Sequence, residues 1–127
     1  MLEPKELLLL CVNAALERKA EDIAILNVKY LSSVTDYFVI CSGNSDRQIR
    51  SLADHVSQRL KKERILPLGI EGERSGSWIL MDYGDVILHI FYKPVREFYD
   101  VEGLWSDAPR MIIDESVREL TVLNDDM

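Results

Sequence analysis

Asp36-Tyr37-Phe38-Val39-Ile40-Cys41-Ser42-Gly43-Asn44-Ser45-Asp46-Arg47-Gln48 joins an apolar run to a glycine turn and a polar helix start. Residues 36–42 are nearly all apolar and rich in aromatic and β-branched side chains, which predicts a central strand covered on both faces. Gly43-Asn44-Ser45 then breaks the strand and opens a helix. Ser45 and Gln48 match a capping box, the serine accepting from the third amide and the glutamine reaching back. Ile49, Leu52, Ala53, Val56 and Leu60 continue one apolar stripe through about residue 63. A buried strand leading through a tight turn into an amphipathic helix belongs to a domain in which helices pack on a sheet.

Upstream, Pro4 suits a first helical turn, and Leu8, Val12, Ala15 and Leu16 recur at helical spacing, giving a helix over 3–19. Ile23 to Val28 reads as a buried strand and Leu31 to Thr35 as a loop. Downstream, Pro67 forbids continuation of the second helix, and Leu66 to Ile70 reads as a short edge strand. Glu71 to Ser77 has two glycines and no apolar side chain, which predicts a mobile loop. Trp78 to Asp82 and Val86 to Phe91 flank Tyr83-Gly84-Asp85, a hairpin with Gly84 available for positive φ. A helical stretch is expected from Pro94 through Trp105, with Phe98, Val101 and Leu104 on related faces. Ala108-Pro109-Arg110 punctuates it, and beyond Ile113 the acidic, weakly periodic chain predicts fraying or a marginal helix. The order α-β-β-α-β-β-β-α gives an α/β fold with a mixed sheet. One domain over 1–113 and an acidic tail over 114–127 are expected.

A chain of 127 residues, 47% hydrophobic, has the size and composition of one globular domain. Its net charge of −7 argues against a general nucleic-acid binder and against a basic membrane-surface protein. Residues 1–66 hold ten basic and nine acidic side chains, whereas residues 67–127 hold five basic and thirteen acidic. The deficit therefore belongs to the C-terminal half. There Asp82, Asp85, Asp100, Glu102 and Asp107 alternate with Trp78, Met81, Tyr83, Tyr99, Leu104 and Trp105, a mixture that resembles an anchoring surface. Cys11 and Cys41 sit in apolar runs and read as reduced, buried thiols. The N-terminus has the pattern of neither a signal nor a transit peptide, and no apolar run reaches the length of a bilayer span, so a cytoplasmic protein is expected.

Asp82, Asp85 and His89 could in principle gather a divalent metal, but turn aspartates commonly serve nearby amides, and a third ligand at clear spacing is missing. His55, among polar neighbours on the second helix, reads as exposed. The turn at Gly43 could cradle a phosphate, yet it has one glycine and no P-loop lysine. Ser45 is better explained as a cap.

Three ordered blocks resemble the ribosomal silencing factor family, also called Iojap. They are residues 36–45 with Arg47 and Gln48, Trp78 to Val86 with His89-Ile90-Phe91, and Arg96 to Asp100 with Leu104-Trp105. The resemblance implies a small α/β domain related to nucleotidyltransferases but without their catalytic equipment. It implies binding to the large ribosomal subunit through ribosomal protein fourteen of that subunit, on the intersubunit face. Occupancy there blocks small-subunit joining and represses translation under nutrient limitation, and free members are homodimers. Organellar relatives act in ribosome assembly. Such a factor needs no cofactor and no catalytic residue. Trp78, Met81, Asp82, Tyr83, Asp85, Leu104 and Trp105 are the expected docking residues, with the aspartates meeting Arg or Lys. The alternatives are an assembly factor using the same face and a metal-dependent nucleotidyltransferase built on Gly43-Asn44-Ser45 with Asp82 and Asp85. A third reading is contact with ribosomal RNA through Arg47, Arg50, Arg59, Lys61, Lys62 and Arg64, although Asp46, Asp54 and Glu63 balance part of that charge.

Overall fold

Alternation along each strand assigns side chains to one or the other face of a single seven-stranded mixed sheet. The computed structural model describes residues 2–114 and 119–123, with side-chain surroundings as far as Met111. In chain order the elements are α1 (Pro4–Glu17), β1 (Glu21–Asn27), β2 (Tyr37–Gly43), α2 (Asp46–Lys62), β3 (Gly69–Glu71) and β4 (Trp78–Asp82). They continue with β5 (Val86–Tyr92), α3 (Lys93–Tyr99), α4 (Val101–Leu104), β6 (Arg110–Asp114) and β7 (Glu119–Leu123). The sheet runs β3-β4-β5-β2-β1-β6-β7, with β2 and β5 parallel and the remaining pairs antiparallel.

All seven residues of β2 are buried, because both faces of this central strand are covered. Tyr37, Val39 and Cys41 join the larger core beneath α1 and α2, together with Leu8, Val12, Leu52, Val56, Ile79, Met81 and Leu88. Phe38 and Ile40 point the other way, into a smaller cluster with Leu26, Ile87, Phe91, Val101 and Ala108. Cys11 and Cys41 are free and buried, and burial pushes both thiols up to about 12.

The α2 start follows the expected chemistry with one shift. Ser45 Oγ accepts from the Gln48 N–H at 3.0 Å, but the Gln48 side chain accepts from Asn44 N–H at 2.7 Å, one residue beyond the cap. In the β4–β5 hairpin, Gly84 takes φ 87° and its N–H donates to Asp82 Oδ1 at 2.8 Å.

Three segments differ from the sequence expectation. The stretch after Pro94 is two short helices, because Asp100 turns left-handed (φ 45°) and its carboxylate caps Gly103 N–H at 3.2 Å. In place of a frayed or marginally helical end, β7 pairs with β6 from Arg110↔Leu123 to Asp114↔Glu119. The loop 72–77 is tied down. The Arg50 guanidinium donates to Glu73 O at 3.0 Å and to Arg74 O, and Gly76 N–H donates to Gly72 O at 3.1 Å. Arg50→Ala is expected to cost about 1 kcal/mol of folding stability and to speed proteolytic cleavage within 72–77. Urea titration and a limited-proteolysis time course check this.

Candidate docking face

The two faces of the sheet are unequally covered. On the face away from α1 and α2, register places Trp78 beside Phe91, Leu80 beside His89 and Asp82 beside Ile87. Among the described residues, only the thin segment 93–109 lies over them. α3 buries none of its residues and α4 buries Val101 alone. Phe98 (81% exposed), Leu104 (79%) and Tyr99 are left open to solvent. Trp78 and Trp105 are half-buried between this rim and the smaller core.

Ring geometry binds the patch together. Trp78 stacks on Phe91 (centroids 4.7 Å apart, planes at 27°) and leans on Tyr99 at 5.1 Å. Trp105 meets Phe38 edge-on at 5.1 Å, and Phe38 in turn meets His89 edge-on at 5.1 Å. The Trp78 indole N–H donates to His89 Nδ1 at 3.1 Å. Burial pushes the His89 pKa down to about 4, so the ring is neutral at pH 7.

A polar staple fastens the covering segment to the sheet. Arg96 donates through Nε to Glu102 at 2.9 Å and through its guanidinium to Ser42 Oγ at 2.8 Å, while Arg110 reaches Glu102 at 3.4 Å. The Arg96 hydrogen bond holds the Glu102 carboxyl below its ordinary range, with the charges of Arg96 and Arg110 reinforcing it. Lys93 pairs with Glu21 at 3.0 Å. Among the described residues, Glu97, Asp100 and Asp107 make no ion pair, so the covering segment presents net negative charge.

The seven residues expected to form a docking surface do not share a face. Trp78, Asp82, Leu104 and Trp105 belong to the thinly covered side. Met81 is fully buried and Tyr83 is 7% exposed, both within the core beneath α1 and α2, so neither can anchor a partner. Strand alternation is the cause: residues 79, 81 and 83 point opposite to 78, 80 and 82. Asp85 is exposed at the hairpin turn and borders a different cleft, of about 660 Å3, lined also by Leu2, Leu7, Arg64, Leu66 and Tyr83. Asp82, Asp85 and His89 consequently do not converge, and among the described residues no group of three or more His, Cys, Asp or Glu side chains gathers as a metal site. His55, expected to be exposed, is half-buried and pairs with Glu17 at 2.8 Å.

Sequence reasoning missed the exposure of Phe98, the Arg96–Ser42–Glu102 staple and the contact between Trp78 and His89. The cations of α2 lie across the sheet from the aromatic patch, and two are already engaged. Arg50 holds the 72–77 loop, and Arg59 lies 3.7 Å from Glu63.

Among the described residues no helix is long and apolar enough to cross a membrane. A family model described as "Ribosomal silencing factor during starvation" matches residues 2–126. The chain is 41% identical over 105 residues to the ribosomal silencing factor of Halalkalibacterium halodurans, covering 83% of this chain and 90% of that protein. A more distant relative is the mouse protein "Mitochondrial assembly of ribosomal large subunit protein 1", 33% identical over 71% of this chain and 41% of its own length. A crystal structure of a Chromobacterium violaceum protein superposes with a TM-score of 0.81 at 36% identity, covering 83% of this chain and 88% of that one. The match of the family model along nearly the whole chain, joined by relatives alike in sequence and in fold, means that this chain belongs to the ribosomal silencing factor family.

Proposed function

We propose that the protein docks by its thinly covered face onto the large ribosomal subunit and, by its bulk, keeps the small subunit from joining. The partner surface in this reading is a basic ribosomal protein on the intersubunit side, ribosomal protein fourteen as the family resemblance implies. The mode of action is occupancy rather than catalysis. One observation carries it: Phe98, Tyr99 and Leu104 stand exposed beside half-buried Trp78 and Trp105, in a segment where Glu97, Asp100 and Asp107 make no ion pair among the described residues. Contiguous apolar surface of this kind marks interaction sites, and aromatic anchors inside a polar rim have the composition of an interface centre. The carboxylates favour encounter with a basic partner. The same face offers the free protein a reason to be a homodimer, since apolar surface without a ribosome to cover it favours self-association. Any contact of ribosomal RNA with the exposed α2 cations would be separate from this face.

Gradient sedimentation with purified subunits tests the reading. The protein is expected to co-migrate with large subunits, to reduce the joined-ribosome peak when small subunits are added, and to lose both effects in Asp82→Arg. Failure to co-migrate removes the proposal, and undiminished binding by folded Asp82→Arg removes that residue from the contact.

A second reading, assembly of the large subunit, is favoured by the name of the mouse relative. Depletion in growing cells separates the two. Accumulated large-subunit precursors support assembly, whereas excess joined ribosomes confined to starved cells support silencing.

A further inference from the structure

His89 is 5% exposed on a strand whose neighbours on the same face, Ile87 and Phe91, are apolar. A histidine in such a place costs stability unless both ring nitrogens are partnered. Only one is. Nδ1 accepts the Trp78 indole N–H at 3.1 Å, which places the ring proton on Nε2, and Nε2 is buried without a hydrogen-bond partner. The ring is gripped by Phe38, edge-on at 5.1 Å, and by Phe91, whose plane is nearly parallel with centroids 6.1 Å apart. Leucine would fill this interior without the unpaired donor. What it could not supply is an acceptor for the indole.

Trp78 is the half-buried member of the contact. Its ring has Phe91 on one side and Tyr99 beside it, and stacking alone leaves it free to slide or flip. The hydrogen bond to His89 removes that freedom. An anchor held in one orientation before its partner arrives loses less entropy on binding.

We infer that His89 is a positioning residue for docking, its Nδ1 fixing the Trp78 indole in the orientation presented to the partner. The inference rests on the docking reading above. His89 itself touches no partner.

Asparagine places an amide oxygen near the Nδ1 position, whereas leucine has no acceptor, so the pair separates positioning from packing. A packing role ranks His89→Leu above His89→Asn in every assay. The positioning role ranks them oppositely for docking. Nitrogen-15 NMR reads hydrogen exchange at the Trp78 indole, identified by the peak lost in Trp78→Phe, and co-sedimentation with purified large subunits reads affinity. The indole is expected to be protected in wild type and His89→Asn, and to exchange freely in His89→Leu. His89→Leu is expected to bind about tenfold more weakly, His89→Asn within about threefold of wild type. In a Trp78→Phe background the leucine substitution is expected to add nothing. His89→Gln, whose amide reaches toward Nε2 instead, supplies the same comparison if the leucine variant aggregates.

A protected indole in His89→Leu, or a binding loss that persists in full in the Trp78→Phe background, overturns the proposal. Wild-type binding by Trp78→Phe overturns it too, whereas failure of the wild-type protein to co-sediment removes the docking reading, which keeps the two failures distinguishable.

Discussion

Phe98→Ala combined with Leu104→Ala is expected to fold as stably as wild type and to bind large subunits about a hundredfold more weakly. Both side chains are about four-fifths exposed, so removing them takes almost no buried area from the folded state. On docking the same atoms pass from water into an interface. Truncating central apolar anchors there costs about 2–4 kcal/mol. The expected result is therefore a split, with an unchanged melting temperature and a collapsed affinity. Equilibrium co-sedimentation across a concentration series measures the second, and calorimetry the first. Equal affinity in a folded double variant would place the contact elsewhere on the molecule.

The second large effect is on stability against pH. The folded-state pKa of His89 is pushed by burial from 6.5 down to about 4, so as pH falls the unfolded chain takes up this proton first. The contribution of neutral His89 is thus complete above about pH 6.5 and is lost progressively toward pH 4. The full loss is about 3 kcal/mol, with roughly 2 kcal/mol of it gone by pH 5. Protonation also turns Nδ1 from acceptor into donor, which breaks the bond to Trp78. Urea unfolding at pH 7 and pH 5 is expected to show the decline in wild type and to show it abolished in His89→Asn. Glu102, whose folded pKa is depressed, contributes in a lower window. Its share is present above about pH 4.5 and lost below it, so the two groups separate along the pH axis.

Local chemistry made most of the fold legible. The Ser45 cap, the turn at Gly84, the central strand at 37–43 and the edge position of β3 each follow from a few adjacent residues. Of the residues expected to dock, Trp78, Asp82, Leu104 and Trp105 lie together on the side the structure leaves thinly covered. Met81 and Tyr83 were grouped with them by proximity in the chain, although strand alternation already divides the run Trp78 to Tyr83 into two faces. Other features depend on residues far apart in sequence. Arg96 meets Ser42 across 54 positions, and Arg50 meets the carbonyl of Glu73 across 23. No periodicity announces such pairs. In isolation Arg50 reads as a cation seeking phosphate, when its guanidinium is occupied by the protein's own backbone. Asp100 is a milder case, since aspartate tolerates the left-handed conformation that splits the last helical stretch, but composition alone does not require it there.

The unequal covering of the sheet has a consequence for how such a protein can evolve. The interior under α1 and α2 carries the larger core, while the opposite side exposes Phe98 and Leu104, which contribute little to holding the chain folded. Substitutions at those two positions are therefore nearly free of any folding penalty, and additive with changes in the distant core. If the proposed docking holds, lineages can retune that contact in step with drift in the surface it meets, without risking the scaffold. Trp78 is the exception. Tied to His89 from behind and stacked on Phe91, it cannot change without disturbing what lies beneath it, so the adaptable rim surrounds one fixed point.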